Sequence, residues 1–450
     1  MKKMLKSYDP SNGELVGEVE ITSLYEIEDK VIQSRAALSE WKKTTFEKRV
    51  NLLRKAGEKI GEKAEELGVL LSREMGKDIR RSMGEVQGCA SDAIHKPELV
   101  AEALKPRETT GYSKKTRIEY HPYGVCAVIS PWNFPMAMAN WMIIPALAAG
   151  NTVVFKPSEE TPLIAQAYAD ILTEVLPKNV LQIVQGSEAQ GRALVDANVN
   201  MIAFTGSHAT GKEIMKSASK DLKRLIMELG GKDPLIVLED ADIEKSARFA
   251  VAGSFENAGQ VCTSVERIFV DEKIADKFEK RVVEIASGYR TGPWNSSSAN
   301  IGPIINEKQR SVILKHINDS LDKGATALLG GRDHPERYVT PTVITGVTDN
   351  MLITREETFG PVAAITRYKN LDDAINSANS TTFGLGSSVF GSEKAVETAN
   401  RIESGMVGIN QGPGGGDDLP WVGAKQSGYG FHGSPDGHKQ FAQIKLLSIS

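Results

Sequence analysis

The chain has 450 residues, of which 40% are hydrophobic and 25% charged, and its 54 basic and 58 acidic residues give a formal net charge of −4. This composition is typical of globular proteins and excludes a disordered, collagen-like or coiled-coil chain. A mildly acidic chain has no general attraction for phosphate backbones, so nucleic acid is not expected as a partner. At about 150 residues per domain, the length predicts two or three domains.

The cysteine and histidine content indicates a reducing compartment, here taken as the cytoplasm. Three cysteines, Cys89, Cys126 and Cys262, are too few for a disulfide scaffold, and the seven histidines show no metal-ligand spacing. We therefore expect no metal. The amino terminus lacks the apolar region of a secretory signal. The most apolar stretch, residues 134–150, contains Asn140 and two prolines, which predicts a buried helix rather than a membrane span.

The first 105 residues read as charged amphipathic helices, over residues 25–43 and 46–75, because apolar residues recur at three- and four-residue spacing. From Tyr120 onward, short apolar runs alternate with helical patterns. The expected strands are 124–130, 151–155, 181–184 and 201–205, and the expected helices are 161–176, 188–197 and 210–220. This alternation predicts an α/β fold with a doubly wound parallel sheet.

A second alternating block begins near Gly230. Its expected strands are 235–238, 267–270, 387–390 and 406–410, and its expected helices are 243–258, 274–287, 308–323 and 371–379. We therefore predict two α/β domains with a cleft between them. The tail, residues 441–450, alternates like a strand and is expected to pair with another subunit.

Cys262 is a candidate nucleophile because of its surroundings. It lies among small and polar residues in FENAGQVCTSVER, whereas Cys126 lies in the apolar run GVCAVIS. Buried cysteines in apolar runs are inert, and we expect Cys126 and Cys89 to be structural. A nucleophilic role for Cys262 requires a base, a donor for an oxyanion and a cofactor site.

Glu228 and Asn133 are candidates for the base and the donor. Glu228 ends an apolar strand-like run in LIMELGGKDP. A carboxylate withdrawn from water there suits a general base, although an ion pair with Lys232 would explain the residue equally well. Asn133 follows a buried strand in PWNFP, at the carboxyl end where α/β folds bind ligands. Its amide suits an oxyanion, and asparagine is also common in ordinary turns.

The sequence pattern for a dinucleotide cofactor is unusual, because no GxGxxG motif follows the first predicted strand of the parallel sheet. Instead, Gly206, Ser207 and Gly211 follow the strand MIAFT and open a helix whose amides suit a phosphate. Lys156 and Glu159 follow another strand and suit the hydroxyls of a ribose. The alternatives are an ordinary glycine turn and a solvated charged loop. A carboxylate near the ribose 2′-hydroxyl disfavours a 2′-phosphate and favours NAD.

Together these residues resemble the aldehyde dehydrogenase superfamily over nearly the whole chain. The matching motifs, in family order, are PWNFP, NTVVFKPSEETP, FTGS, MELGGKDP, GQVCTS, EETFGP and GMVGIN. The resemblance implies a Rossmann-like NAD(P)-binding domain (residues 1–110 and 127–228) and an α/β catalytic domain (229–433). It also implies a small β hairpin for oligomerisation (111–126 and 434–450), and a homodimer or homotetramer.

The resemblance also implies a mechanism without coenzyme A. The Cys262 thiolate would attack the aldehyde, and the Asn133 amide and the Cys262 backbone N–H would hold the oxyanion. After hydride transfer to NAD, or to NADP as a second possibility, Glu228 would activate the water that hydrolyses the thioester. The residues implied for cofactor binding are Trp132, Lys156, Ser158, Glu159, Gly206, Ser207, Glu357 and Phe359. Those implied for the aldehyde tunnel are Phe134, Met138, Trp141, Glu256 and Trp421.

The chain departs from the family pattern at two positions that assist proton transfer in many members. Met142 replaces a lysine, and His432 replaces a glutamate in the segment SGYGFH. His432 either substitutes for the missing group or is an exposed loop histidine, and the exposed interpretation is favoured here.

The substrate is less well defined than the reaction. Trp141 stands where semialdehyde enzymes of one bacterial branch carry an arginine, which disfavours that branch. The aromatic residues with Glu256 would suit a cationic aminoaldehyde or betaine aldehyde. An apolar tunnel for aliphatic or aromatic aldehydes is the favoured interpretation, because aromatic residues more often simply line an apolar tunnel. Rival functions are a CoA-acylating enzyme, which commonly lacks the Glu228 equivalent, and a catalytically silent relative, which would lack the nucleophile or the base.

Overall fold

A computed structural model describes residues 3–111, 114–414 and 418–449. Up to residue 122 the elements are β1 (Met4–Tyr8), β2 (Leu15–Glu20), α1 (Leu24–Trp41), α2 (Phe46–Glu62), α3 (Ala64–Met75), α4 (Ile79–Ala103), β3 (Arg107–Gly111) and β4 (Lys114–Pro122). The next are β5 (Val125–Ile129), α5 (Ala137–Ala148), β6 (Thr152–Lys156), α6 (Pro162–Val175), β7 (Leu181–Ile183), α7 (Glu188–Asp196), β8 (Met201–Thr205), α8 (His208–Ala218) and β9 (Arg224–Glu228).

The remaining elements belong mostly to a second sheet. They are β10 (Asp233–Val237), α9 (Ile243–Phe255), β11 (Val265–Asp271), α10 (Glu272–Ala286), α11 (Glu307–Asp322), β12 (Thr326–Leu329), β13 (Thr342–Thr345), α12 (Leu352–Arg355), β14 (Val362–Tyr368), α13 (Leu371–Asn379), β15 (Gly386–Phe390), α14 (Ala395–Asn400), β16 (Met406–Ile409), β17 (Gly428–Tyr429), α15 (Ser434–Lys439) and β18 (Ala442–Ile449).

The first sheet has six strands in the order β17-β9-β8-β5-β6-β7, parallel except for β17. Alternate side chains of β5 enter two separate apolar clusters, Cys126 and Val128 on one face and Val125 and Ala127 on the other. Helices therefore cover both faces, as the continuous apolar strands predict. The carboxyl ends of β5, β6, β8 and β9 meet at one edge of the sheet.

The second sheet has seven strands in the order β12-β13-β14-β11-β10-β15-β16, with only β12 antiparallel. It too is buried on both faces, because Leu235 and Val237 enter one apolar cluster and Ile236 and Leu238 another. This sheet begins directly after the first, since β10 starts five residues beyond Glu228. The short connection, together with the parallel pairing of β10 and β11, places the end of β9 and the start of β10 close to the start of β11.

A third, antiparallel sheet has the order β18-β4-β3. β18 pairs with β4 from Ala442 opposite Pro122 to Ile449 opposite Lys115, which matches the strand expected for the tail. β18 is an edge strand, and its Ile444 and Leu446 side chains are 53% and 63% exposed.

The amino-terminal part differs from its prediction in two ways. It opens with an antiparallel hairpin of β1 and β2, which the helical interpretation missed because both strands are largely polar and only half-buried. The predicted helix over 46–75 is two helices, since Lys63 leaves helical geometry with φ −100° and ψ 16°. The break turns α3 onto α4 so closely that a Cβ on Gly68 would lie 2.5 Å from the Met83 sulfur.

The most apolar segment forms the buried helix α5, as expected. Within the described ranges, no helix has both the length and the hydropathy needed to cross a bilayer.

Candidate active site

Cys262 lies in a strained loop between α9 and β11. Asn257, Ala258 and Gly259 take positive φ angles of 49°, 58° and 73°. A Cβ on Gly259 would lie 2.0 Å from the Gly360 carbonyl oxygen, so only glycine fits this contact. The loop that carries Cys262 is therefore fixed against the chain segment that follows β13 and α12.

Gly259→Ala is expected to destabilise the protein by about 2 kcal/mol or more, because the left-handed conformation and the carbonyl contact both resist a side chain. Thermal unfolding measures the effect, and kcat should fall with it as the Cys262 loop shifts. Gly84→Ala is the control, since no atom lies within 4 Å of a Cβ there and alanine favours a helix. Equal melting temperatures for Gly259→Ala and wild type would contradict the proposed packing.

The Cys262 thiol is partly shielded from solvent and surrounded by carboxylates. Burial raises the pKa of Cys262, and the charges of Glu228, Asp233 and Glu357 raise it further. A Cβ on Gly231 would lie 2.4 Å from the Cys262 carbonyl oxygen, so the two-glycine segment after Glu228 packs directly on this residue. Burial and the three neighbouring charges therefore all favour the protonated thiol over the thiolate.

Asn133 contacts the loop of Cys262 from the other sheet. Its Nδ2 donates to the Gln260 carbonyl oxygen at 3.1 Å, and its own carbonyl accepts from Asn257 Nδ2 at 3.3 Å. The side chain is buried. The structure thus joins the PWNFP turn to the residues immediately before Cys262.

Glu228 is a buried carboxylate at the carboxyl end of β9, and the ion pair with Lys232 that was considered for it is absent. The Lys232 ammonium instead contacts the Glu266 carboxylate and donates to Thr358 Oγ1 at 3.1 Å. Within the described chain, the only basic side chain within ion-pair distance of Glu228 is His432, whose Nε2 contacts its Oε1.

The favoured interpretation of His432 as an exposed loop residue is wrong, because the residue is only 4% exposed. Its carbonyl oxygen accepts from the Trp421 N–H at 2.8 Å, and its ring lies 5.4 Å from the Trp141 ring. The glycine-rich segment GYGFHG has the composition of an exposed turn. Its burial follows from β17 pairing with the end of β9, which no local pattern shows.

The segment of Glu357 and Phe359 faces the same region. Glu357 Oε1 accepts the Gly231 N–H at 3.0 Å, and burial raises the pKa of Glu357 to about 8, with a further contribution from the charge of Glu266. Phe359, with φ 52°, lies edge-on to Trp132 with ring centroids 5.5 Å apart. Two residues expected to bind the cofactor, Phe359 at the nicotinamide and Trp132 on the pyrophosphate side, are thus in contact.

A buried polar network that sequence reasoning missed positions this segment. Glu266 accepts the N–H groups of Thr358 and Phe359, both at 2.8 Å, and contacts the Lys232 ammonium. His316 Nδ1 lies 3.1 Å from Thr358 Oγ1. Burial lowers the pKa values of Lys232 and His316. The isolated charges in the apolar strands, as in VERIF, were the only available signal.

The expected adenosine side of the cofactor site lies at the carboxyl edge of the first sheet. Lys156 ends β6 and is 5% exposed, which rules out a fully solvated loop, and burial lowers its pKa. Its Nζ lies 3.3 Å from Glu159 Oε2, whose side chain is 43% exposed. Ser158 Oγ accepts the Glu160 N–H at 3.3 Å.

Gly206 and Ser207 lie two strands away, where β8 leads into α8. Ser207 Oγ accepts the Thr210 N–H at 3.3 Å and caps the helix. The ring of Phe204 lies 2.5 Å from where a Cβ on Gly206 would be, so a side chain is excluded at this turn. The exposed helix start beside a glycine suits an anionic group.

The expected tunnel residues fall into two groups. Trp141 and Trp421 are in contact, with ring centroids 5.4 Å apart, and Trp141 Nε1 donates to Asp92 Oδ2 at 2.9 Å. Met138 is buried one turn earlier than Trp141 on α5.

Phe134 and Glu256 form the second group, and both contact cations. The Lys77 ammonium lies 3.7 Å from the centre of the Phe134 ring and pairs with Glu85 at 2.6 Å. Glu256 accepts two hydrogen bonds from Arg81, both at 2.5 Å. Its carboxylate is therefore already neutralised, which weakens the expectation that it attracts a cationic aldehyde.

A sequence profile described as the aldehyde dehydrogenase family matches residues 1–447. The chain belongs to the aldehyde dehydrogenase family. It is 34% identical over 458 residues to a mitochondrial succinate-semialdehyde dehydrogenase of Arabidopsis thaliana, a match that covers 99% of this chain and 86% of that protein.

Solved structures give the same result for the fold. The NAD⁺ complex of an aldehyde dehydrogenase from Bacillus cereus is 30% identical, with a TM-score of 0.96 over 99% of this chain and 93% of that one. An NADP-dependent glyceraldehyde-3-phosphate dehydrogenase from Bacillus halodurans, complexed with NADP, is 32% identical, with a TM-score of 0.95 over 99% and 96%.

These comparisons confirm the predicted α/β fold and the assignment to NAD(P)-dependent oxidoreductases acting on aldehydes. Related structures hold NAD⁺ or NADP. The family membership implies an aldehyde substrate.

Proposed function

We propose that this aldehyde dehydrogenase oxidises an aldehyde to the carboxylic acid through a thioester on Cys262, which water hydrolyses with Glu228 as general base. The observation that carries the proposal is the position of Glu228. Its carboxylate is buried and lacks a lysine partner, and its charge acts on the Cys262 thiol.

In the acylation half, the Cys262 thiol loses its proton to water, and the thiolate sulfur bonds to the aldehyde carbon as the carbonyl double bond opens. The aldehyde oxygen then carries a negative charge, and the Asn133 amide and the Cys262 backbone N–H donate to it. The contact of Asn133 with Gln260 supports this role, because it fixes the amide beside the nucleophile's loop. The resulting thiohemiacetal becomes a thioester when its hydrogen leaves as hydride.

The residues of the cofactor site fit an NAD(P) molecule. The half-exposed carboxylate of Glu159 beside Lys156 suits ribose hydroxyls, and the start of α8 at Ser207 suits a phosphate. Glu357 and Phe359 would hold the nicotinamide end, and Trp132, in contact with Phe359, would lie on the pyrophosphate side. The bound cofactor supplies the hydride acceptor, and Glu159 favours NAD over NADP.

In the deacylation half, the Glu228 carboxylate takes a proton from water while the water oxygen bonds to the thioester carbon. The carbon–sulfur bond then breaks and returns the Cys262 thiolate. This step separates the proposal from a CoA-acylating enzyme, in which a thiol rather than water accepts the acyl group. A silent relative is disfavoured because Cys262, Glu228 and Asn133 are all present.

Glu159→Gln is expected to lower the ratio of kcat/KM for NAD to that for NADP by about tenfold, equivalent to about 1.4 kcal/mol. The reason is that a neutral side chain no longer repels a 2′-phosphate. Glu160→Gln is the matched control, because Glu160 is next to Glu159 in the chain but its carboxylate accepts a hydrogen bond from Asn306 instead. An equal change in the NAD-to-NADP ratio of kcat/KM in both variants would contradict the placement of Glu159 at the ribose.

We propose an uncharged aliphatic or aromatic aldehyde as substrate. Support comes from the Trp141–Trp421 contact and from the pairing of Lys77 and Arg81 with Glu85 and Glu256, which leaves neither cation free for a distal carboxylate. Succinate semialdehyde is the second candidate, because the Arabidopsis relative bears that name. An aminoaldehyde is disfavoured by the pairing of Glu256.

The test is NAD(P)H formation across a panel of acetaldehyde, propanal, benzaldehyde, succinate semialdehyde and 4-aminobutanal, each with NAD and with NADP. We expect the highest kcat/KM with an uncharged aldehyde and NAD. A preference for succinate semialdehyde would replace the substrate proposal. Reduction that requires coenzyme A and forms no acid would overturn the hydrolytic mechanism.

We further propose that residues 1–110 and 127–228, which carry most of the six-stranded sheet, form the cofactor domain and that residues 229–433 form the catalytic domain. The segments 111–126 and 434–450 would join copies of the chain in a homodimer or homotetramer. The exposed apolar edge of β18 supports that assembly. The free cysteines Cys89, Cys126 and Cys262 fit a reducing compartment such as the cytoplasm.

A further inference from the structure

The junction between α3 and α4, residues 76–85, carries a buried ion pair that the mechanism above does not use. Lys77 Nζ donates to Glu85 Oε2 at 2.6 Å, and the two side chains are 1% and 2% exposed. Burial of two charges is costly unless further partners satisfy both groups. The further partners of this pair lie in the turn that carries Asn133.

Glu85 caps helix α5, although it belongs to another helix. Its Oε1 accepts the N–H groups of Met136 and Ala137 at 3.0 and 3.1 Å. These two residues begin α5, and the residue at the cap position, Met136, makes no side-chain cap of its own. The first N–H groups of a helix lack partners within it, and its dipole favours a negative charge there. Glu85 therefore fixes the point at which the turn enters α5.

Lys77 supports the same turn nearer to Asn133. Its ammonium lies 3.7 Å from the centre of the Phe134 ring, a contact that attracts a cation most strongly where water is excluded. Between the contacts of Lys77 and Glu85 lies Pro135, whose ring fixes its own φ angle. The ion pair thus holds both ends of the short segment that directly follows Asn133.

The junction is also fixed relative to the nucleophile's loop. Gly76 has a φ angle of 82°, and a Cβ on Gly302 would lie 2.1 Å from its carbonyl oxygen. Three residues beyond Gly302, the Ile305 N–H donates to Gln260 Oε1 at 3.0 Å. Gln260 is the residue whose carbonyl oxygen accepts the Asn133 amide. One chain segment therefore packs on the junction and binds the loop residue that Asn133 contacts.

We propose that Glu85, together with Lys77, is a positioning residue that holds the Asn133 amide where the oxyanion forms, an inference that rests on the proposed function. One N–H of that amide binds Gln260, and the second is the donor to the oxyanion. Such a donor contributes fully only when its position is fixed before the reaction. Acylation therefore depends on Glu85 through Asn133.

The test compares two reactions of the Cys262 sulfur in the whole enzyme. p-Nitrophenyl acetate acylates it without a cofactor. The thiolate adds to the ester carbon, an oxyanion forms, and p-nitrophenolate leaves in a burst. Iodoacetamide alkylates the same sulfur by displacing iodide, and no oxyanion forms. Cys89 and Cys126 are buried, so both reactions of the folded protein report Cys262.

In Glu85→Gln we expect the rate constant of the burst to fall by about tenfold or more, since misplacement of a group by about 1 Å can cost about 10²-fold in rate. Alkylation should stay within about twofold of wild type, because the nucleophile itself is unchanged. The single variant leaves the Lys77 charge unpaired. The double variant Lys77→Met/Glu85→Gln removes both charges, covers the case in which the single variant folds poorly, and should show the same selective loss.

Glu74→Gln is the matched control. Glu74 is a buried carboxylate on α3 that accepts the N–H groups of Leu163 and Ile164 at 3.0 and 2.7 Å, so it caps α6 from another helix, as Glu85 caps α5. Burial raises the pKa of Glu74 to about 7, so the comparison is made at about pH 8, where it is charged. Glu74→Gln should keep the wild-type burst.

A double-mutant cycle with Asn133→Ala tests whether Glu85 acts through the amide. Asn133→Ala should slow the burst by about 10²-fold or more, as loss of one oxyanion donor does. Adding Glu85→Gln should then slow it by less than about twofold further, because the group that Glu85 positions is already gone.

The outcomes separate the two proposals. A wild-type burst in Glu85→Gln, an equal loss of acylation and alkylation, or a full additive effect in the Asn133→Ala background would overturn the role of Glu85 alone. A wild-type enzyme without any burst, or an Asn133→Ala variant with the wild-type burst, would overturn the proposed function itself.

Discussion

Cys262→Ala is expected to abolish aldehyde oxidation, lowering kcat by about 10⁴-fold or more, the scale on which enzymes lose activity with their nucleophile. The reason is that the thiohemiacetal, from which hydride departs, cannot form without the sulfur. NAD(P)H formation at saturating aldehyde measures the loss. Melting temperature should change little, because the side chain is partly exposed and alanine removes only one atom.

Cys126→Ala is the matched control for this variant. This variant also loses one cysteine sulfur, but from β5 in the protein core. Cys126 is fully buried there, and burial raises its pKa to about 12. Its kcat should stay within about twofold of wild type in protein that remains folded. Residual turnover in Cys262→Ala above about a tenth of wild type would remove Cys262 from the mechanism.

Glu228→Gln is expected to slow thioester hydrolysis by about 10²- to 10⁴-fold, the usual contribution of a general base. Glutamine keeps the shape of the buried side chain but cannot take a proton from water. Hydride transfer precedes this step, so a rapid-mixing experiment should show one equivalent of NAD(P)H formed in a burst, followed by a very slow phase.

Glu213→Gln, an exposed position on α8, is the control for loss of a carboxylate and should show wild-type phases. If the burst disappears from Glu228→Gln together with the slow phase, Glu228 acts in acylation instead, for example on the Cys262 proton. A variant as fast as wild type would show that another group activates the water.

The edges of the parallel sheets were the most predictable part of the site. Asn133, Lys156, Ser207 and Glu228 each follow or end a short apolar run, and such runs form strands whose carboxyl ends meet. Their roles needed the family resemblance as well, since each single pattern also fitted an ordinary turn or ion pair.

The missed features depend on contacts between distant parts of the chain. Glu228 meets His432 because β17, which lies some 200 residues further along, pairs with β9. Lys232 pairs with Glu266, and not with Glu228 four residues away, because the parallel pairing of β10 and β11 brings them together. Periodicity and composition carry no signal for such partners.

The same reason limits prediction of the substrate. Glu256 looked like a free carboxylate in a mostly aromatic set, yet Arg81, which is 175 residues earlier, contacts it with two nitrogens. Neutralisation of that charge removes the argument for a cationic aldehyde, which was the less favoured of the two substrate classes. The charge at this expected tunnel residue thus depends on α4, which the sequence patterns did not connect with the nucleophile's loop.

The most direct test of the central claim is mass spectrometry of the Glu228→Gln variant. The reaction is quenched while the variant turns over NAD and an aldehyde that the wild-type enzyme oxidises. We expect the intact protein to gain the mass of one acyl group, and peptide mapping to place that group on Cys262. An unmodified protein, or an acyl group on Cys89, Cys126 or a lysine, despite formation of NADH, would contradict the thioester mechanism.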